Sequence, residues 1–128
     1  MSTTREGLLA WQWEGYARYH QSRANLLLHI VLVPAFLAGN VALIVGLIRL
    51  DWIEALVGFA LMAASMALQG RGHKVELMPP VPFSSAGNAI ARIFLEQWIT
   101  FPRFVLSGGW SRALSASGTS TRASGTER

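Results

Sequence analysis

Residues 26–68 constrain the fold most, because they are almost entirely apolar apart from one short polar break, Arg49-Leu50-Asp51. The first part, residues 26–48, has 23 residues, and a helix needs about 20 apolar residues to cross a membrane. The second part, residues 52–68, has 17 residues, which is the lower limit of spanning length. A break of three residues forces the two helices to run antiparallel. The stretch therefore predicts a membrane helical hairpin whose two ends emerge on the same side.

The composition supports a small membrane protein. Charged residues make up 14% of the 128-residue chain, against roughly 25% in a typical soluble domain. The net charge of +4 comes from arginine and lysine outside the apolar region, which favours contact with anionic lipid headgroups. No basic run or recognised motif indicates a nucleic-acid partner. The absence of cysteine excludes disulfides, thiolate metal ligands and a cysteine nucleophile.

Arginine and lysine are distributed unevenly around the predicted hairpin. Three precede residue 26, seven follow residue 68, and only Arg49 lies at the tip. Excess positive charge marks the cytoplasmic side of a membrane protein. We therefore expect a multi-pass protein of the cytoplasmic (inner) membrane, with both termini in the cytoplasm.

The N-terminal segment has the spacing of an amphipathic helix. Its apolar positions recur at steps of four, three and four and end on a histidine: Leu9, Trp13, Tyr16 and His20. Such steps place side chains on one helix face. With polar residues over the rest of its surface, this helix is expected to lie at the membrane interface.

The C-terminal part of the chain divides into a helix and a tail. A third helix is predicted over about residues 86–100, and its polar stripe leaves open whether it spans the membrane or lies on it. Residues 111–128 are rich in Ser, Thr, Gly, Ala and Arg, which is typical of disorder. The sequence thus predicts an all-α membrane domain over residues 1–110, followed by a disordered tail.

The three histidines of the chain flank the hairpin. His20 and His29 are nine residues apart, which in one straight helix would set them on opposite faces, about 180° apart. A turn at residues 21–24 would remove that obstacle. The hairpin then returns the chain, so that His73 reappears on the side where His29 began. We therefore predict a metal site formed by His20, His29 and His73.

Three further polar residues are expected close to this site as candidate catalytic groups. Asn25 is four residues before His29 and shares its helix face, Glu76 follows His73 by three residues, and Tyr19 adjoins His20. Imidazole and carboxylate ligands suit iron, zinc, manganese or nickel. Structural roles remain open for each group: interfacial histidines, Asn25 as a helix N-cap, a solvated Glu76 and an interfacial Tyr19.

Two sequence blocks around the hairpin resemble a known family. They read Tyr19-His20-x4-Asn25-x3-His29-x4-Pro34 and Gln69-x3-His73-x2-Glu76. In this order and separation they resemble the Mpo1-like family, formerly a domain of unknown function, over about residues 8–106. Residues 96–110 are similar to a bacterial branch whose members are often labelled "terminase". The chain has no GxxxxGK[ST] loop, so that label carries no functional implication here.

The resemblance implies an activity. A characterised family member is an Fe(II)-dependent dioxygenase of the endoplasmic reticulum that shortens 2-hydroxy fatty acids by one carbon, in fatty-acid α-oxidation. The same reaction class here would use Fe(2+) held by His20, His29 and His73, with a fatty acid and O2 as substrates. Three cations are candidates for holding the substrate carboxylate: Arg23, Arg71 and Lys74.

Two other functions fit the sequence. Ala38, Ala42 and Gly46 repeat every four residues, a pattern suited to close packing of membrane helices. If this stripe mediates homo-oligomers, the chain is a non-catalytic membrane interaction protein with structural histidines. A metal-dependent lipid hydrolase that uses a metal-bound water is the other alternative, and it would act without O2.

Overall fold

The computed structural model describes the backbone of residues 5–126 and the side chains of residues 7–118. Helices account for most of it, and residues 5–126 contain no strand. In chain order the elements are α1 (Arg5–Tyr16), a 3-10 turn (Ala17–Tyr19), α2 (Arg23–Ile48), α3 (Trp52–Lys74), α4 (Ala86–Leu95), a π-helical turn (Glu96–Thr100), α5 (Phe101–Leu106) and α6 (Gly109–Thr126). The predicted all-α fold is confirmed.

Helices α2 and α3 form the predicted hairpin, and both are long and apolar enough to cross a membrane. Most large apolar side chains toward the tip are exposed on the hairpin surface. They include Val41, Ile44, Leu47, Ile53, Leu56, Val57 and Phe59. Water would solvate such a surface poorly, whereas the hydrocarbon core of a bilayer would cover it.

The tip of the hairpin is fixed by two helix caps. Leu50 has a left-handed φ of 54°, which ends α2, and the N–H of Asp51 donates to the carbonyl of Gly46 at 2.8 Å. This is the hydrogen bond of a Schellman motif. The carboxylate of Asp51 then accepts from the N–H of Glu54 at 3.1 Å and caps α3. The polar break therefore ends one helix and starts the next.

The two hairpin helices contact each other through small residues. A Cβ on Gly39 would lie 2.7 Å from the carbonyl oxygen of Gly58, so the backbones touch at this point. Gly46 is also buried at the interface, but Ala38 is exposed. The predicted stripe of Ala38, Ala42 and Gly46 is therefore correct at Gly46, but Gly39 replaces Ala38 at the interface. These close contacts lie between the two helices of the hairpin.

The remaining helices pack around the open end of the hairpin. Phe94 of α4 lies against Phe36 of α2 with ring centroids 5.6 Å apart, and the indole of Trp98 donates to Asn40 at 3.0 Å. The core at this end is formed by Tyr16, Leu26, Val33, Phe101 and Phe104. Helix α1 supplies Tyr16 to this core, so the apolar face of α1 packs against the protein.

The segment expected to be disordered instead contributes a helix, α6. Its first turns hold Trp110, Ala113 and Leu114, which pack against the core. The indole of Trp110 also donates to the carbonyl of Leu26 at 2.9 Å. These three apolar residues, at steps of three and one, are sufficient to dock a segment whose overall composition is polar. The prediction of disorder for residues 111–128 is therefore corrected for the part of α6 that packs against the core.

Candidate metal centre

Three imidazoles and one carboxylate converge at the open end of the hairpin. Ligand atoms of His20, His29, His73 and Glu96 all lie within 4.8 Å of one another. The three ring centroids form a nearly equilateral triangle, with separations of 4.9, 4.9 and 5.0 Å. His20 and His29 are buried, at 3% and 0% exposure. Such a group could hold a metal ion.

Each histidine of the cluster comes from a different element. His20 follows the 3-10 turn, His29 lies in the second turn of α2, and His73 lies in the last turn of α3. Residues 20–22 are not helical, so the chain changes direction between His20 and His29 as the spacing argument requires. The hairpin then returns His73 beside them.

Backbone carbonyls set the tautomers of two histidines. Nδ1 of His20 lies 2.7 Å from the carbonyl oxygen of Tyr16, and Nδ1 of His29 lies 3.0 Å from that of Asn25. A carbonyl oxygen only accepts, so each Nδ1 carries the proton and each Nε2 presents a lone pair. This arrangement is usual for metal-bound histidines, whose second nitrogen donates to a backbone or carboxylate oxygen.

The inward-facing ring nitrogens have no hydrogen-bond partner. Among the described residues, buried Nε2 of His20, buried Nε2 of His29 and buried Nδ1 of His73 are all unsatisfied. Such atoms are rare in proteins, because desolvating a polar group without compensation costs about 1–3 kcal/mol. Three that face one point are explained together by a cation at that point. The donor set therefore fits a metal.

Glu96 supplies the negative charge of the cluster. Its Oε2 lies 3.4 Å from Nε2 of His20 and 3.9 Å from Nε2 of His29, and the hydroxyl of Tyr16 donates to it at 2.8 Å. Burial disfavours its charged form, but the contact with His20 and the electrostatic influence of the three histidines lower its pKa to about 2. Glu96 is thus a carboxylate at neutral pH.

Tyr16 remains a neutral donor beside that carboxylate. Burial, and then the charge of Glu96, raise its pKa well above the usual value. Its ring also stacks on His20, with centroids 3.8 Å apart. Tyr16 therefore orients two members of the cluster, Glu96 through its hydroxyl and His20 through its ring and carbonyl.

The π-helical turn that begins at Glu96 is fastened to the hairpin by buried amides. Gln97 and Gln69 exchange two hydrogen bonds, at 3.0 and 2.8 Å, and Gln69 also donates to Ser65 at 3.0 Å. Both glutamines are almost fully buried. Single π turns are rare and occur frequently at functional sites. Here the turn begins at Glu96, whose carboxylate faces the histidines.

Glu76, expected near the metal, has a different place. Its carboxylate accepts from the backbone N–H of Gln21 and of Ser22, both at 2.9 Å, and from the amide of Asn25 at 2.7 Å. It therefore caps α2 from the bend that follows α3 and fixes the turn between His20 and His29. The sequence had suggested Asn25 as the N-cap of α2, but the N-cap is Ser22. Ser22 makes no side-chain cap bond, because Glu76 supplies the acceptor.

Glu76→Ala is expected to lower the free energy of unfolding by about 1–3 kcal/mol, because it leaves donors at the start of α2 unsatisfied. Metal affinity should fall about 10- to 100-fold, since the turn that orients His20 is released. Thermal unfolding in detergent and metal titration measure the two effects. Glu14→Ala, at an exposed carboxylate, is the control; equal effects in both variants would contradict the capping role.

A cavity of about 430 Å³ opens beside the cluster. His20, His73 and Glu96 form part of its lining. Its apolar walls come from α1, α3, α4 and the connection before α4, through Trp11, Met66, Ile93, Val81 and Phe83. The volume is within the range of small-molecule sites, about 300–1,000 Å³. A ligand in this cavity would reach the metal side of the cluster.

The other predicted site residues lie around this cavity or away from it. Tyr19 is half-buried and lines it, although Tyr16 is the tyrosine that touches the cluster. Arg23 is exposed and lines a second, more open cavity. Arg71 and Lys74 are exposed and line neither cavity. The cations that line the 430 Å³ cavity are Arg18 and Arg92.

Sequence reasoning missed Glu96 as a ligand. The available signal was a polar stripe at steps of four in an otherwise apolar helix, Asn88, Arg92 and Glu96. A carboxylate on such a stripe must face protein, water or a cation. Residue spacing alone does not predict that the third helix packs back onto both hairpin helices.

Comparisons of the chain with protein-family models, with curated proteins and with solved structures found no match. Function is therefore inferred from the chemistry of the site. Three histidines and a glutamate that could hold a metal ion lie at the edge of a largely apolar cavity. Two helices with the length and composition of membrane spans adjoin it.

Proposed function

We propose that the chain is a membrane-embedded Fe(II)-dependent dioxygenase that shortens 2-hydroxy fatty acids by one carbon. The observation that carries the proposal is the set of unsatisfied ring nitrogens of His20, His29 and His73 facing Glu96 beside an apolar cavity. The sequence resemblance to the Mpo1-like family supports the reaction class and the fatty-acid substrate.

Iron fits this donor set. Neutral imidazoles and a carboxylate that leave coordination positions open are typical of non-haem Fe(II) oxygenases. His20, His29, His73 and Glu96 would hold the ion, and the side of the cluster that lines the cavity would be open to O2 and substrate. Bound iron would supply the activation of O2, which no side chain of this chain can perform. Tyr16 and Asn25 orient the side chains that would hold the ion, and these side chains would present it to the cavity.

The net reaction balances with O2 as the only oxidant. A 2-hydroxy acid, R–CH(OH)–COOH, and O2 give the shortened acid R–COOH, CO2 and H2O. The bond between C1 and C2 breaks, C2 becomes a carboxyl carbon, and the four electrons lost by the two carbons reduce O2. The chain would need to bind the acid, exclude bulk water from the reacting carbon, and keep both ligand and substrate carboxylates ionised.

The site lies at the open end of the hairpin, and the exposed apolar residues lie toward its tip. We propose that the tip is embedded in the cytoplasmic membrane and that both termini face the cytoplasm, where most arginine and lysine would then lie. A fatty acid could enter the cavity from the bilayer, with its head group toward the metal and the interface.

The test is O2 consumption by detergent-purified protein reconstituted with Fe(II) under nitrogen. Addition of 2-hydroxyhexadecanoic acid and air should consume one O2 for each pentadecanoic acid detected by mass spectrometry. The 3-hydroxy isomer and the His29→Gln variant are matched controls and should give no product. Iron bound without O2-dependent chain shortening would refute the dioxygenase, and turnover under nitrogen would favour the hydrolase.

A further inference from the structure

The guanidinium of Arg92 is a cation without an anionic partner in the cavity beside the metal cluster. Within residues 7–118 no carboxylate lies within ion-pair distance of it, and Glu96, one turn further along the chain, contacts His20, His29 and Tyr16 instead. The guanidinium is half-buried in a largely apolar cavity, where hydrogen bonds or an anion stabilise a charge. It is therefore available to an anionic ligand.

This guanidinium is held rigidly while part of it stays available. Nη1 donates to the carbonyl of Pro82 at 3.2 Å and Nη2 to that of Val81 at 2.8 Å. The group also lies over the rings of Trp11 and Phe83, 5.1 and 4.5 Å from their centroids. Arginine has five N–H donors, so these two bonds leave three. A fixed guanidinium with free donors suits bidentate binding of a carboxylate.

Arg92 also lies one helical turn from a member of the metal cluster. It precedes Glu96, the first residue of the π turn, by four residues, or about 6 Å of helical rise. A carboxylate bound by Arg92 on the cavity side would therefore have its neighbouring carbon, and not a distant part of the chain, close to the cluster. The apolar walls at Met66, Ile93 and Phe83 remain for the acyl chain.

We propose that Arg92 is the binding residue for the carboxylate of a long-chain acid, and that it directs the carbon next to that carboxylate toward the metal. The position of reaction rests on the proposed dioxygenase function; the binding of a carboxylate does not. Arg18, the other cation of the cavity, is exposed. The earlier candidates Arg23, Arg71 and Lys74 lie outside this cavity.

The test compares the affinities of dodecanoic acid and dodecanol, two probes that differ at the head group and cannot undergo the reaction. Calorimetric titration of the full chain in maltoside micelles at pH 8 should show dodecanoate bound at least about tenfold more tightly, as expected of a hydrogen bond to a charged group. Arg92→Gln should reduce this ratio to within twofold while the affinity for dodecanol stays unchanged. Arg92→Lys should retain part of the preference.

Each contrary outcome overturns the proposal. If Arg92→Gln weakens both probes equally, Arg92 only fastens residues 80–83; if the ratio survives, or if Arg18→Gln removes it instead, another group binds the carboxylate. Arg71→Gln is the control for loss of one positive charge. Metal content measured on the same samples separates the two proposals, because a metal-free chain that still prefers dodecanoate would refute the dioxygenase and leave the role of Arg92 standing.

Discussion

His29→Gln is expected to purify without metal under conditions in which the unmodified chain retains close to one divalent ion per molecule. The substitution removes a fully buried ring nitrogen that faces the cluster. Changes at outer-shell partners of a metal ligand already weaken binding about 10- to 100-fold, so loss of a ligand should exceed 100-fold. Metal content by mass spectrometry, and an apparent Kd from competition with a chelator, measure the effect.

The same experiment includes a stability measurement. Without metal, three buried nitrogens are unsatisfied, and an ion that binds only the folded state stabilises it by about 2.7 kcal/mol at a free concentration 100-fold above its Kd. Added metal should therefore raise the Tm of the unmodified chain and leave that of His29→Gln unchanged. Tyr19→Phe, which alters the cavity lining outside the cluster, is the control. Stoichiometric metal in His29→Gln would contradict the candidate site.

The hairpin was predictable from the sequence, because two apolar runs joined by three residues have few alternatives in a membrane. The need for a turn between His20 and His29 was also predictable, since it follows from helix geometry alone. The return of His73 then follows from the hairpin. These three inferences require only chain direction and helical rise, and the structure agrees with each of them.

Residues whose roles depend on long-range packing were not predictable. Glu96 becomes a cluster member only because α4 and the π turn pack against both hairpin helices, where Gln97 pairs with Gln69. Glu76 lies one turn from His73 in sequence, yet the chain leaves helical geometry at Val75 and directs its carboxylate to the start of α2. In both cases contacts between elements decided the role.

The same dependence on long-range packing explains why the structure differs from the sequence-based expectations at the C-terminal tail and at the cations of the cavity. Composition alone predicts disorder beyond residue 110, but Trp110 finds an acceptor at Leu26 and anchors α6. The sequence-based candidates for holding a substrate carboxylate were Arg23, Arg71 and Lys74. The cavity instead receives Arg92, from α4, which directly precedes the π turn that supplies Glu96. A prediction of the site therefore needed the position of α4, which its short, mixed pattern did not fix.

Gly72→Ala is expected to damage both the hairpin and the metal site through one added methyl group. A Cβ at this position would overlap Oδ1 of Asn25 and lie 3.2 Å from a side-chain carbon of Leu28. Asn25 is fully buried and cannot rotate away without losing its bond to Glu76. Its carbonyl also fixes the ring of His29. The methyl group must therefore separate α2 and α3 or displace Asn25, and either movement shifts a ligand.

The expected effect is a loss of about 1–3 kcal/mol in the free energy of unfolding, the usual cost of overpacking, together with metal binding weakened at least about tenfold. Gly70→Ala provides a matched control two residues away in α3, where a Cβ meets nothing within 4 Å. That variant should be up to about 1 kcal/mol more stable, because alanine favours the helix over glycine. If Gly72→Ala lowers the free energy of unfolding and Gly70→Ala raises it, the loss is traced to the contact with Asn25. If Gly72→Ala resembles Gly70→Ala in both stability and metal affinity, close approach of α3 to Asn25 does not position His29.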